Sequence, residues 1–313
     1  MQLRSLIEDK HLKEEMVGLL ATGSLPLPFC SRASSEIIAS LIEDPSIGEA
    51  MPGSEAESII LLFGRPVLTI EGNSFATPVS ETWRQRLESA RPLLEAAIPA
   101  VGRIELKNHP THDWVGTGWL VRQDVIVTNR HVAEFFAFRN GDQLAFRLNS
   151  GGRQITARID FLEEYRLPGE VEMKITDVLH IEPANGPDLA FLRVEANDNL
   201  AKRQPIRLAQ TVSVGQDVAT IGYPAKDSRI PDPAVMREIF GDIYDVKRLA
   251  PGKVTAVGVD LEHDCSTLGG NSGSVVVDLL HGDAVGLHFG GTYRTANYAV
   301  AATDIQERLD LVA

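Results

Sequence analysis

The spacing of apolar residues changes part-way along the chain, from a helical period to short β-rich runs. In the first part, apolar residues recur at steps of three and four, which predicts amphipathic helices over residues 3–20, 37–42, 54–63 and 80–97. Ser54 and Glu57 form a capping-box pattern at the start of the third helix. Pro92 lies inside the fourth, so that this helix either kinks there or divides into two short helices.

The second part of the chain consists of apolar runs separated by Gly, Asn, Asp and Pro. These runs are VGRIEL, GTGWLV, VIVTN, QLAFRL, DLAFLRV, DVATIGY, KVTAVGV, SVVVDLL, AVGLHFG and YAVAA. Many short strands divided by turn residues predict an antiparallel barrel or sandwich. The connection 225–247 is predicted to contain a short helix capped by Asp232, and Thr303 and Gln306 form a capping box for a C-terminal helix.

Composition and charge narrow the class of protein. The chain has 313 residues, of which 43% are hydrophobic, and this is enough for a full globular core. Its net charge of -13 argues against nucleic acid as a partner, because such binding needs clustered Lys and Arg. The absence of an apolar run of about 18 residues and the charged start predict a cytoplasmic protein without a membrane segment or export signal. Cys30 and Cys265 favour two free thiols over a disulfide.

The segment 269–274, GGNSGS, carries the sharpest chemical signal. A serine between glycines can sit on an exposed bend, where nearby backbone N–H groups converge on the oxyanion that forms when the serine attacks a carbonyl group. Taken alone, the segment also fits an ordinary glycine-rich turn. Ser272 is therefore a candidate nucleophile that needs a histidine and a carboxylate to support it.

Both supporting residues occur next to predicted strands. His131 follows the run VIVTN, and Asp188 begins the run DLAFLRV. The order His, Asp, Ser differs from the order Ser, Asp, His of α/β-hydrolases and from the order Asp, His, Ser of subtilisin-like enzymes. These two serine-hydrolase designs are therefore excluded.

Around TNRHV, PDLAFLRV and GGNSGS the chain resembles the chymotrypsin-like (trypsin-fold) serine peptidases, in the bacterial branch of glutamyl endopeptidases and HtrA-type proteases. The resemblance implies that Ser272 is the nucleophile, that His131 is the general acid and base, and that Asp188 orients the histidine. It also implies that the N–H groups of Gly270 and Ser272 form the oxyanion hole.

The same resemblance implies a mainly β fold with two antiparallel six-stranded barrels, which a small helical domain precedes along the chain. We predict a helical N-terminal domain at 1–97 and a protease domain at 98–313, with barrel one at 98–205 and barrel two at 206–313.

Digestive trypsins have an Asp before the nucleophile that pairs with a newly cut N-terminus, but this chain has Asn271. We therefore expect the N-terminal domain or the connection 225–247 to regulate access to the active site, with a regulatory partner bound through residues 1–97. The alternative is that the helices only stabilise the barrels.

The residues that match the family's specificity pocket are Thr267, His288 and Gly290. An imidazole and a hydroxyl group can donate hydrogen bonds to a buried carboxylate or amide, which predicts cleavage after Glu, or less favourably after Gln. The alternative is that His288 is a core histidine packed against Phe289.

The resulting prediction is a serine endopeptidase that acts on protein or peptide substrates and needs no cofactor or metal. His109, His112 and Asp113 are close enough in sequence to suggest a metal site, but the neighbouring proline favours an exposed turn. Two other functions remain open: a protease-fold scaffold that binds a partner with negligible activity, and an esterase that uses the same three residues.

Overall fold

The computed structural model describes residues 9–24, 36, 38–40, 61–226, 233–292 and 296–312. Its strands are β1 Leu68–Glu71, β2 Ser74–Phe75, β3 Val101–Lys107, β4 Trp114–Arg122, β5 Val125–Thr128, β6 Ala137–Asn140, β7 Gln143–Phe146, β8 Thr156–Asp160, β9 Glu172–Ile181, β10 Ala190–Val194, β11 Asp217–Gly222, β12 Arg248–Val257, β13 Leu261–His263, β14 Val275–Asp278, β15 Ala284–Thr292 and β16 Ala296–Ala301. Its helices are α1 Lys10–Thr22, α2 Glu81–Ala97, α3 Arg130–Ala133, α4 Asp198–Ala201, α5 Pro233–Phe240 and α6 Ala302–Leu309, with a 3-10 turn at Ile98–Ala100.

Two closed antiparallel barrels form the body of the molecule. Barrel one contains β3, β4, β5, β8, β9 and β10, and barrel two contains β11 to β16, closed by the pairing of β11 with β12. Every residue of β5 and of β14 is buried, which explains why these strands read as continuous apolar runs in the sequence. The predicted fold class, with two six-stranded barrels, is confirmed.

The described part of the N-terminal segment packs on barrel two. Glu15 of α1 accepts hydrogen bonds from the backbone N–H groups of Glu81 and Thr82, and so satisfies the free N-terminal end of α2. Residues 81–97 form one helix in spite of Pro92. Between the two helices, β1 pairs with β12 and extends the sheet of barrel two. Residues that the sequence placed in a helical segment thus include a β-hairpin.

The sequence-based elements agree with the structure for the strong strands and differ at several local signals. All ten predicted runs contain a strand, whereas β1, β2, β6, β8, β9 and β13 were missed. The predicted capping box at Thr303 is wrong: α6 begins at Ala302, and its N-cap, Ala301, makes no side-chain hydrogen bond. Ser54, Cys30 and Asp232 lie outside the described residues.

None of the helices in the described ranges is both long and apolar enough to span a membrane. Cys265 is a free thiol buried in barrel two.

Candidate active site

The pairing of β10 with β5 brings His131 and Asp188 together. Ala190 lies opposite Thr128, so the residues just before β10 lie beside the residues just after β5. Asp188 lies two residues before β10 and is not its first residue. His131 lies on the short helix α3, whose N-cap residue Asn129 donates a side-chain hydrogen bond to the Asp188 carbonyl at 2.9 Å.

The carboxylate of Asp188 contacts His131 at two points. His131 Nδ1 lies 2.6 Å from Oδ2, and the His131 backbone N–H donates to Oδ1 at 3.1 Å. An ionised carboxylate can only accept, so Nδ1 of a neutral His131 carries the proton and Nε2 keeps a free lone pair. The histidine side chain remains 40% exposed, whereas that of Asp188 is 16% exposed.

Two opposing effects set the pKa of Asp188. Burial alone would raise this pKa, but the hydrogen bonds and the charge of His131, together with Arg130, lower it below the ordinary value. The carboxylate is therefore ionised at neutral pH and accepts the hydrogen bond from His131 Nδ1.

The loop that carries Ser272 is held in its shape by two glycines with positive φ. Gly270 has a φ of 87° and Gly273 a φ of 88°, and a Cβ atom at Gly273 would overlap the carbonyl oxygen of Thr117. The Gly273 N–H donates to the His288 carbonyl at 2.8 Å, and the Thr117 N–H donates to the Ser272 carbonyl at 2.8 Å. The loop is thus fixed to β15 on one side and to β4 of barrel one on the other.

Three groups of this loop are free to bind another molecule. Within the described residues, the backbone N–H groups of Gly270 and Ser272 donate to no protein acceptor, and the Ser272 hydroxyl group makes no hydrogen bond. Asn271, between them, is buried, and its side-chain oxygen accepts a hydrogen bond from the Ser274 hydroxyl at 3.2 Å. The loop therefore presents a hydroxyl group next to two unused N–H donors.

A pair of buried histidines lies behind this loop. His288 on β15 is 2% exposed, and its Nδ1 lies 3.1 Å from Nε2 of His263 on β13. Burial lowers the pKa of His263 to about 4, although Asp264 acts in the opposite direction. Burial also lowers the pKa of His288 well below its ordinary value, and His263 and His131 lower it further. Both imidazoles are neutral at pH 7.

The surroundings of His263 decide which nitrogen atoms carry protons. His263 Nδ1 is buried and has no hydrogen-bond partner among the described residues, whereas His288 Nε2 is not one of the fully buried atoms without a partner. Either arrangement of the protons leaves one imidazole N–H without a protein acceptor, and the favoured arrangement places it at His288 Nε2 and leaves His263 Nδ1 without a proton. His263 Nε2 then donates to His288 Nδ1, and the remaining proton of His288 lies on Nε2. Nε2 of His288 is therefore a hydrogen-bond donor without a protein acceptor in the described chain.

The role expected of Thr267 as a donor to a substrate differs from its contacts in the structure. Its hydroxyl group lies 2.7 Å from Oδ1 of Asn297, whose Nδ2 donates to the carbonyl of Cys265 at 2.7 Å. The Cys265 carbonyl can only accept, which fixes the orientation of the Asn297 amide and makes the Thr267 hydroxyl the donor. Its proton is thus already used. Gly290, two residues after His288 on β15, has open space among the described residues where a Cβ atom would lie.

The segment around His109 has the contacts of a turn. Nδ1 of His109 accepts hydrogen bonds from the backbone N–H groups of Thr111 and His112, and the rings of His109 and His112 both pack against Phe135.

A group of three acidic side chains, Glu105, Asp160 and Glu163, has ligand atoms within 4.8 Å of one another. The guanidinium group of Arg103 contacts Glu105 and Glu163, so these two carboxylates already have a cationic partner.

The trypsin-like peptidase domain family matches residues 116–287, a segment that contains His131, Asp188 and Ser272. This chain belongs to the trypsin-like peptidase family. The resemblance predicted from the sequence is confirmed.

Relatives of this trypsin-like peptidase include two groups of named bacterial proteins. It is 33% identical over 264 residues to a probable serine protease of Lysobacter enzymogenes, a match that covers 72% of this chain and 65% of that protein. It is 27% identical over 199 residues to a glutamyl endopeptidase of Staphylococcus epidermidis, covering 62% of this chain and 60% of that protein. The matched region thus spans less than two thirds of these relatives. A crystal structure of a serine endoprotease from Yersinia pestis matches with a TM-score of 0.47 and 18% identity, over 72% of this chain and 65% of that chain.

Sequence reasoning missed several residues around this trypsin-like site. Asn129, His263 and Asn297 act through contacts with residues that are distant in sequence. Asn129 has the clearest signal, because it lies in the segment TNRHV, whereas no local pattern marks His263 or Asn297.

Proposed function

We propose that this trypsin-like peptidase is a serine endopeptidase that cleaves protein or peptide substrates through an acyl-enzyme. The observation that carries the proposal is the free Ser272 hydroxyl group beside the unused N–H groups of Gly270 and Ser272. The loop that holds them is hydrogen-bonded to barrel one, and barrel one also carries the hydrogen-bonded pair of His131 and Asp188. Such a set supplies a nucleophile, a base and oxyanion donors together.

In the proposed reaction, Ser272 Oγ attacks the carbonyl carbon of the scissile bond while His131 Nε2 takes the hydroxyl proton. The N–H groups of Gly270 and Ser272 donate to the oxyanion, and His131 then gives its proton to the leaving amine. Asp188 remains ionised and stabilises the imidazolium ion throughout. A water molecule, deprotonated by His131, hydrolyses the acyl-enzyme and restores the Ser272 hydroxyl group.

Labelling with a fluorophosphonate tests the proposed nucleophile. We expect one labelled serine, lost in Ser272→Ala and retained in Ser213→Ala, which removes an exposed hydroxyl group. A folded parent protein that is not labelled would contradict the proposal and favour a binding scaffold. Labelling together with hydrolysis of small esters, but of no peptide, would favour an esterase.

We further propose a preference for Glu, with Gln as the weaker alternative, before the scissile bond. The N–H donor assigned to His288 Nε2 can bond to a carboxylate or an amide oxygen, and the open space at Gly290 leaves room for such a side chain. The named Staphylococcus epidermidis relative, a glutamyl endopeptidase, supports the same preference. The net charge of -13 repels acidic substrates at long range, so local donors must provide this preference.

A peptide library varied at the residue before the cut tests this preference. We expect cleavage after Glu to exceed cleavage after Gln. We also expect His288→Leu to reduce cleavage after Glu by about a hundredfold, since a carboxylate would then lack its donor. Fluorophosphonate labelling of His288→Leu serves as the control for an intact nucleophile. Efficient cleavage after Arg or Phe, with none after Glu, would contradict the pocket assignment.

A further inference from the structure

The pocket side of barrel two is attached to the N-terminal segment by a buried ion pair. Arg65 Nε and Nη2 donate to the two carboxylate oxygens of Asp264 at 2.7 and 2.6 Å. The Arg65 side chain is fully buried and that of Asp264 is 2% exposed. Burial alone would lower the pKa of Arg65, but Asp264 raises it above its ordinary value, so the guanidinium group keeps its charge. Two parallel N–H bonds fix the carboxylate in orientation as well as in position.

Backbone contacts fix Arg65 itself. Its carbonyl accepts a hydrogen bond from the Ser266 hydroxyl at 2.8 Å. The carbonyl of the preceding residue, Gly64, accepts one from the Trp83 indole N–H of α2 at 2.6 Å. The strand β1, a few residues later, pairs with β12. The segment around Arg65 is thus held by α2 on one side and by barrel two on the other.

The residues that Arg65 contacts are direct neighbours of the proposed pocket. Asp264 follows His263, the histidine paired with His288, and precedes Cys265, whose carbonyl orients the Asn297 amide. A change in the position of Asp264 would therefore move the His263 imidazole and the Cys265 carbonyl. His288 depends on the first of these groups for the hydrogen bond that leaves its proton on Nε2.

We propose that Arg65 is a positioning residue for the specificity pocket. It holds the side of the pocket that residues 263–267 form, and through this contact the segment before the barrels determines substrate preference. This proposal rests on the proposed protease function. Arg65 does not contact the substrate. Its ion pair sets the geometry of His263 and, through His263, the donor on His288.

The test compares three variants of the full chain. Arg65→Met removes the guanidinium group and keeps much of its volume. Arg65→Lys keeps a buried cation beside Asp264, but it cannot form two parallel bonds. Arg91→Met is the matched control, because Arg91 lies on α2, forms an ion pair with Glu88 and stacks on Phe75 rather than on Trp83. Circular dichroism gives the folded fraction of each.

Kinetics and histidine NMR provide separate readouts. For Arg65→Met we expect KM for a Glu peptide to rise about tenfold, while the rate of fluorophosphonate labelling changes less than about twofold. We expect Arg65→Lys to be intermediate and Arg91→Met to match the parent. The imidazole nitrogen resonances of His263 and His288 should shift in Arg65→Met, whereas those of His131 should not.

Two results would overturn the proposal. The first is an Arg65→Met protein with the KM, the Glu preference and the His263 and His288 resonances of the parent. The second is an equal loss of labelling and turnover in Arg65→Met and Arg91→Met, in proportion to the folded fraction, because both residues would then serve stability alone. A parent protein that is not labelled would contradict the proposed function, while the histidine resonances would still test the positioning role.

Discussion

The buried histidine pair makes the free energy of unfolding depend on pH. His263 is fully buried, and burial lowers its pKa from 6.5 to about 4. Between these values the unfolded chain binds a proton at this residue and the folded chain does not. The contribution of a neutral His263 to the free energy of unfolding is therefore complete above pH 6.5, and it is lost as the pH falls from 6.5 to about 4.

The size of this effect follows from the difference in pKa. Each unit corresponds to about 1.4 kcal/mol, so the difference of 2.5 units amounts to about 3 kcal/mol. This is a large share of the total stability of a domain, which is commonly about 5–15 kcal/mol. Because His263 is fully buried, solvent screening does not reduce this free-energy difference appreciably.

The substitution His263→Gln isolates this contribution. Gln does not titrate, and its amide N–H can replace Nε2 as the donor to His288. The measurement is urea denaturation of parent and variant in steps from pH 7 to pH 4. We expect the parent to lose about 3 kcal/mol more than the variant, since the titrating groups outside the histidine pair are common to both and burial keeps the pKa of His288 well below its ordinary value in both. Parallel curves for the two proteins would refute the reasoning.

Three further substitutions test the contacts around the site by thermal unfolding and peptide cleavage. Gly273→Ala should cost at least about 3 kcal/mol more than Gly215→Ala, because both glycines have positive φ but only at Gly273 would a Cβ overlap a backbone carbonyl; equal losses would contradict this. Asn297→Ala should cost about 1–3 kcal/mol and weaken cleavage after Glu, since it leaves the Thr267 hydroxyl and a backbone carbonyl unpaired. Glu15→Ala should cost about 1 kcal/mol by removing the acceptor for the first N–H groups of α2, and no change in melting temperature would contradict that role.

The clearest strands in the sequence are those that are buried along their whole length. The run VIVT of β5 is buried throughout, and its apolar pattern needs no tertiary information. By contrast, β9 mixes charged and apolar residues and has two register irregularities against β10, and β13 is only three residues long. Both lack the length or alternation by which a strand is recognised.

The candidate site divides in the same way. His131, Asp188 and Ser272 lie in local motifs, so a family resemblance identifies them. The pair of Arg65 and Asp264 joins residues 199 positions apart, and His263 gains its importance only from a contact across the interior of barrel two. Such pairings depend on the register of a closed barrel, which neither apolar spacing nor residue type predicts.

The hydrogen bond from Thr117 to the Ser272 carbonyl couples the two barrels mechanically. The Thr117 side chain also donates to the Gly270 carbonyl at 3.1 Å, and its own carbonyl accepts from Thr128 at 2.7 Å. A hinge motion that separated the barrels would pull on the backbone of the Ser272 loop and disturb the oxyanion donors before it widened the cleft between the barrels. We therefore expect this cleft to keep a fixed width, so that the surrounding loops accommodate differences in substrate size.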